Sequence, residues 1–375
     1  MTKTAINTRN SNLELFRIIT MLLIVAHHYV VNSGLTAIDG PIYANQVAPQ
    51  SIFLLLYGAF GKIGINCFVL ITGYFMCTSD ISAKKFLKLV SKTMIYGMVF
   101  WFIFFITGYK EFSIIEFLKL FLPVSAVRTG FVDTYILFYL TIPFLNILIK
   151  NISEKMHLRL IALCSVIYII FGTIKIKGIT VDMNYVSWFI VLYFISSYIR
   201  LYEKKIFNNT RFWGYMMVIS VGLSMISVVL CAWAGSLFGK QHPFFFVTDS
   251  NTFLAVMTGV SSFLFFKNLK IKNSKFVNTV AASTFGVLLI HANSDTMRSW
   301  LWQDVLHCVE MYNSSWLVLH AIASVLVIYI SCTVIDYIYN CIVEKTILKM
   351  WDEHGMKVVS CFEKIEKTLY EKLNA

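Results

Sequence analysis

The chain has 375 residues, 58% of them hydrophobic and 14% charged, with a mean hydropathy of +0.70. Those proportions exclude a soluble chain of two or three domains and indicate an integral membrane protein. The 32 Lys and Arg against 20 Asp and Glu give a net charge of +12, but the basic residues lie in short segments between apolar runs. They therefore report orientation in a bilayer, and no nucleic-acid partner is expected.

Crossing a bilayer as a helix takes about 20 apolar residues. On that measure, ten segments are expected as helices, several of them short of a full span. They run from Leu13 to Val31, Ser51 to Met76, Leu87 to Thr107, Thr134 to Ile149, Leu158 to Ile174, Tyr185 to Ile199, Phe212 to Phe238, Thr252 to Phe266, Phe276 to His291, and Ser315 to Ile342. The two-residue alternation of a membrane barrel is missing from these segments. The expected fold class is all-α, a polytopic integral membrane protein of about ten transmembrane helices. The first segment lacks the short basic flank and small-residue cleavage site of a signal peptide and is expected to be retained. Without a linker or repeat, one transmembrane domain is expected over residues 1–342, followed by a charged cytoplasmic C-terminal tail over residues 343–375. The cysteines at 67, 77, 164, 231, 308, 332, 341 and 361 form no C-x-x-C and fall mostly in apolar runs. They are expected as packing residues, not as a disulfide framework or a metal site.

The basic residues orient this array. Alternate segments, beginning with Lys3 and Arg9 and continuing through Lys84, Lys85, Lys88 and Lys92, hold 23 of them, and the intervening segments hold 7. Positive charge is enriched on the cytoplasmic side, so both termini are expected there. Arg17 and Lys62, the two basic residues that neither group counts, lie inside spans.

A charge in a bilayer costs about 2.5 to 3.5 kcal/mol on insertion scales, which directs attention to the first helix. It carries Glu14, Arg17, His27 and His28. Arg17 and His28 are 11 residues apart. At helical spacing that puts them on one face, offset by about 20° and separated by about 16 Å, with His27 turned about 80° from Arg17. Glu14, three residues before Arg17, is set to neutralise it. The plain alternative is an interfacial ion pair at one end and two hydrogen-bonded histidines at the other. A single face bearing both Arg and His suits a polar cleft better.

On these residues the chain resembles the acyltransferase 3 membrane proteins, which O-acylate bacterial surface and secreted carbohydrates. The family's first helix carries a basic residue, ten arbitrary residues and a histidine, matched by Arg17 and His28. Its second helix ends in a phrase like F-V-L-S-G-Y, matched by Phe68-Val-Leu-Ile-Thr72-Gly73-Tyr74 with Thr72 at the serine position. Further similarities are Tyr139-Leu-Thr-Ile-Pro143-Phe-Leu-Asn146, Trp188-Phe-Ile-Val-Leu-Tyr193 with Tyr198-Ile-Arg200, and Phe285-Gly-Val-Leu-Leu-Ile-His291. The phrases occur in order over about residues 9 to 340. Where the family often has an arginine pair after the second helix, this chain has lysines at 84, 85, 88 and 92, and the usual Trp-Phe before the fourth helix stands as Phe131-Val132.

The resemblance implies a multi-pass protein of the bacterial cytoplasmic membrane. It would move an acyl group, expected to be acetyl, from cytoplasmic acyl-CoA to a hydroxyl of a cell-surface or secreted polysaccharide or its lipid-linked precursor, beside polysaccharide-assembly partners. Acetyl-CoA is then a co-substrate, and no metal is expected. Removing the hydroxyl proton needs a base, for which histidine is suited near neutral pH. His28 is expected in that role, with Arg17 and Glu14 completing the catalytic set. Arg17, Lys88, Lys92 and Arg200, near the cytoplasmic ends of their helices, are expected to hold the donor phosphates. His291, Asn293, Tyr185 and Asn184, toward the opposite end, are expected to receive the sugar. A G-x-S-x-G elbow is missing from the sequence, so direct transfer is the simpler expectation, with transient acylation of a side chain left open. Lys62, four residues before Asn66 on the same face, either holds a substrate phosphate or carbonyl or, amid Gly58, Gly61 and Gly64, marks a break in an overlong helix, the second being the expectation. Asp336 is expected to pair with a basic residue. The competing functional class is a transporter or flippase whose intramembrane Arg and His line a translocation path.

Overall fold

The computed structural model describes residues 10–122, 124, 130–174 and 184–373. Lys3 and Arg9, counted above for orientation, lie outside the described residues, as do Arg128, Lys175 and Lys177, and the side chain of Cys361 is likewise not described. Among the described residues the regular structure is entirely helical. The principal helices are α1 (Ser11–Val31), α2 (Pro49–Gly58), α3 (Gly61–Met76), α4 (Ala83–Ile106), α5 (Phe131–Asn151), α6 (Glu154–Ser165), α7 (Tyr185–Leu201), α8 (Thr210–Phe238), α9 (Phe253–Asn268), α10 (Lys275–Ala282), α11 (Thr284–His291), α12 (Leu317–Tyr339) and α13 (Lys345–Leu373). Each expected segment overlaps one of these helices or a consecutive pair, the one from Leu158 continuing past α6 through a π-helical turn, Val166–Ile170, to a short helix, Phe171–Thr173.

Seven of the helices are long and apolar enough to cross a membrane, or eight if a pair bent by 94°, Lys275–His291 with Asp295–Asn313, counts as one span. The helices Tyr185–Leu201 and Phe253–Asn268 are apolar but shorter. Span two, Pro49–Met76, is interrupted at Ala59 and Phe60 as the glycine cluster predicts, leaving Gly61 and Lys62 at the start of its second half. Helix α12 runs through a π-helical turn, Asn340–Glu344, into α13 as one continuous helix to Gly355.

Helix α1 sits at the centre, packed against α2, α3, α9, α10, α11 and α12, and α3 in turn packs on α7 and α9. Small and polar residues provide the joints, as expected where lipid supplies no hydrophobic drive for helix association. Ser220 and Ser224 of α8 hydrogen-bond Ser261 and Thr258 of α9 at 3.1 and 3.2 Å. Asn66 of α3 accepts a bond from the Trp188 indole at 2.9 Å and donates to the Ser250 carbonyl at 2.6 Å. Asn146 of α5 donates to the Met76 carbonyl that ends α3 and accepts from the Tyr193 hydroxyl. Several residues of the family-like phrases are thus interhelical ties.

Polar contacts between segment ends fall into two sets. One joins Asn12 to the carbonyls of Phe266, Lys267 and Leu269, Lys204 to Glu154, Lys267 to Asn208, and Lys84 to Asp352. The other joins Gln46 to Lys240, Gln241 to Ile38, Ser51 to Tyr312, and Tyr109 to Asp304. These are the basic-rich and basic-poor groups of segments respectively.

Candidate functional site

One large cavity, of about 1530 Å³, runs along α1 and is lined by its residues from Arg17 to Val31. That exceeds the roughly 300 to 1,000 Å³ of an ordinary small-molecule pocket and has room for an elongated ligand. Arg17, Lys85, Lys88 and Lys92 line one end, and His28, Asn32, Tyr43, Asn293 and Arg298 line the other. Lys62, Tyr135 and Tyr185 also contribute to the wall. Of the residues singled out from sequence, Arg17, His28, Lys88, Lys92, Tyr185 and Asn293 are therefore brought to one space, and Glu14, Arg200, His291 and Asn184 stand off its wall.

At the basic end, Arg17 donates to both carboxylate oxygens of Glu14 at 3.2 Å. Glu14 is buried behind it, and the guanidinium lies 5.9 Å from the Phe75 ring centre. The glutamate fixes the arginine while leaving guanidinium edges for a ligand. Lys88 pairs with Glu344 at 2.7 Å and remains half exposed. Lys92 is different. Its ammonium is buried 2.8 Å from Asp336 and donates to Asn340, and Asp336 also accepts from the Tyr96 hydroxyl and the Asn340 amide. Lys92 is committed to a buried ion pair that ties α4 to α12, which gives Asp336 the basic partner expected for it. Arg200 bonds the Tyr74 hydroxyl at 3.0 Å and stacks 4.8 Å over that ring, so a cation–π contact satisfies it away from the cavity.

At the other end, His28 Nδ1 lies 2.9 Å from His291 Nε2, and His291 Nδ1 lies 2.6 Å from the Val287 carbonyl oxygen. His291 is buried behind His28 instead of facing the acceptor side. Asn184 caps α7 by accepting the Val186 amide at 2.8 Å, a helix-start role that its position before an apolar run explains. Lys62 donates to the Tyr185 hydroxyl at 3.1 Å, so beyond marking the helix break it presents an ammonium to the cavity. His27 also lines the cavity, with Nδ1 2.6 Å from the Gly58 carbonyl. A rotation of about 80° still leaves a side chain on the same half of a helix, so a wide cavity reaches both histidines.

Tyr135 escapes the sequence reading. Its hydroxyl meets that of Thr72 at 3.0 Å, and it shares the cavity wall with Tyr139 one turn along α5. The four-residue spacing of the two tyrosines is the signal that finds it.

Residues 10–337 match the family described as an acyltransferase domain. No curated protein and no solved structure matches the chain.

Proposed function

The chain belongs to the acyltransferase 3 family, and from that premise we propose that it carries an acyl group, acetyl in the simplest case, from cytoplasmic acyl-CoA to a hydroxyl of a cell-surface or secreted polysaccharide or of its lipid-linked precursor. The observation that carries this reading is the single cavity joining Arg17 to His28. In this reading the bent pair and the two shorter apolar helices, Tyr185–Leu201 and Phe253–Asn268, cross the bacterial cytoplasmic membrane with the seven long spans, and with the basic-rich segments inside Arg17 is toward the donor and His28 toward the acceptor. The division of polar contacts between segment ends supports that arrangement.

Arg17, Lys85 and Lys88 take the donor phosphates, with Glu14 holding Arg17 in place. Lysines serve as point charges where a guanidinium would bind two oxygens at once. An extended pantetheine arm covers much of the approximately 16 Å along α1 from Arg17 to His28. His28 Nε2 removes the acceptor proton as the hydroxyl oxygen attacks the thioester carbonyl. Negative charge then develops on the carbonyl oxygen, and Lys62, held by Tyr185, supplies a donor to it. Asn293 and Tyr185 face the acceptor. Lys92 is left to Asp336, and Arg200 to Tyr74.

The test is transfer of radiolabelled acetyl from acetyl-CoA to surface polysaccharide by membranes containing the protein. Incorporation that depends on His28 supports the proposal. Equal labelling with and without the protein, alongside protein-dependent movement of unmodified carbohydrate across the membrane, sinks it in favour of a flippase.

A further inference from the structure

We propose that His291 is the positioning residue for His28, holding it in the one tautomer that can act as a base toward the cavity. The proposal rests on the reading of His28 as general base and adds a residue that touches neither donor nor acceptor.

Hydrogen-bond directions carry the argument. The Val287 carbonyl can only accept, so the 2.6 Å contact requires a proton on His291 Nδ1. A neutral imidazole has one N–H, so His291 Nε2 is an acceptor. The proton in the 2.9 Å bond between the two rings must then belong to His28 Nδ1. It follows that His28 Nε2 carries a lone pair, and His28 is on the cavity wall. Protonating His291 as well would reverse the chain of donors, but its side chain is 1% exposed, and among the described residues no carboxylate is in ion-pair contact with it. A buried unpaired cation of that kind is strongly disfavoured.

The fold builds this relay deliberately. His291 is the last residue of α11, and its ring bonds to its own helix one turn back. That helix packs against α1, which sets the ring beside His28. In the transfer step the acceptor oxygen bonds to the thioester carbon and its proton passes to His28 Nε2. The carbon–sulfur bond breaks, and His28 returns the proton to the departing thiolate, giving an ester and a free thiol. Between these events His28 is an imidazolium, and its Nδ1–H bond to His291 becomes charge-assisted and stronger. Stabilisation of that kind appears only along the reaction path, so it raises turnover and not substrate binding.

The experiment compares His291→Gln and His291→Phe with His28→Ala in purified protein. Gln retains an acceptor oxygen, and Phe has none. The Phe variant should lose about 100-fold in kcat with KM for acetyl-CoA nearly unchanged, and the Gln variant should stay within about tenfold of wild type. Equal losses in both, or a loss confined to KM, would make the role merely structural and overturn the proposal, as would a Phe variant of normal kcat. Nitrogen-15 NMR of histidine-labelled wild type in nanodiscs is independent of how the variants fold. The His28 signals, identified by their disappearance in His28→Ala, should report the Nδ1–H tautomer, and the Nε2–H tautomer would overturn the proposal. A fully active His28→Ala sinks the general-base reading itself. An inactive one beside an unaffected His291→Phe sinks only the positioning role.

Discussion

Gly61 and His27 touch with no room between them: a β-carbon on the glycine would lie 2.2 Å from both Cβ and Cγ of the histidine. The same seam continues in both directions. A β-carbon on Gly58 would meet Val30 at 2.9 Å, and one on Gly64 would meet Ile24 at 2.8 Å. Three glycines spaced three apart on span two thus receive three side chains spaced three apart on α1, running the opposite way. Close approach of the two backbones through small residues is how helices associate without a hydrophobic drive. It also sets the depth at which His27 and His28 enter the cavity.

Gly61→Ala should therefore do two things. The clash is with the root of a side chain, which cannot swing away, so overpacking should cost about 1–3 kcal/mol. The displacement of α1 should lower acyl transfer as well. Thermal unfolding in detergent and transfer at matched expression read the two effects. Gly222→Ala, where an added carbon would meet nothing within 4 Å, is the control and should be silent in both.

The Lys92–Asp336 pair predicts a sharper loss. Asp336 is wholly buried and Lys92 nearly so, and removing one partner strands a charge, which costs about 3–5 kcal/mol. Lys92→Met alone should be strongly destabilised. Combining it with Asp336→Asn removes both charges while keeping a side chain that bonds Tyr96 and Asn340, so most of the stability should return. Acetyl-CoA affinity of the double variant should match wild type. A clear loss of affinity in a stably folded double variant would return Lys92 to the donor site.

The helices and the Arg17–His28 axis are legible in the sequence because both are local. Apolar run length dictates the spans, and 11 residues of one helix fix two side chains on one face without reference to the rest of the chain. What pairs with what is not local. His291 lies 263 positions from His28, and its place in the sequence, at the outer end of an apolar run, reads as a rim residue facing solvent. Only the packing of α11 against α1 brings the ring to His28. Lys92 and Arg200 likewise have the charge and depth of phosphate ligands, but Asp336 and Tyr74 claim them through contacts between helices far apart in sequence. Composition gives the supply of charges, and packing decides which remain available.

Arg17 is one that does. Arg17→Ala should weaken acetyl-CoA binding, measured by equilibrium binding to purified protein, and Arg17→Lys should restore it only in part because one ammonium replaces a planar fork. Glu14→Gln keeps hydrogen-bond acceptance but removes the counter-charge, and should have a smaller effect than Arg17→Ala. Normal donor binding by Arg17→Ala would reassign the pair to structure.

Orientation can be read by cysteine labelling. Lys270 and Asn313 are both exposed and belong to the basic-rich and basic-poor groups of segments respectively. After removal of native cysteines, a cysteine at position 313 should react with a membrane-impermeant thiol reagent in intact cells, and one at position 270 should not. The reverse pattern would invert the protein and with it the direction of transfer.

The adjacent histidines give the most discriminating test, because both line the cavity and both have Nδ1 engaged. His27 Nδ1 donates to a backbone carbonyl, that of Gly58, at 2.6 Å, and its ring is wedged against Gly61. His28 Nδ1 is backed by a second imidazole and faces the acceptor end on the same side of α1 as Arg17. The first arrangement is that of a packing residue at a helix seam, and the second that of a base with a responsive partner. His28→Ala should reduce transfer by about 100-fold to 10,000-fold, the usual contribution of a positioned base, while membrane insertion and acetyl-CoA binding persist. His27→Ala opens space at the seam and should be less stable, yet it should retain measurable transfer. The two variants are compared at matched expression with donor binding measured in parallel. A near-normal His28 variant beside a dead but stably folded His27 variant would move the base one residue along the helix. Activity in both would end the histidine mechanism altogether.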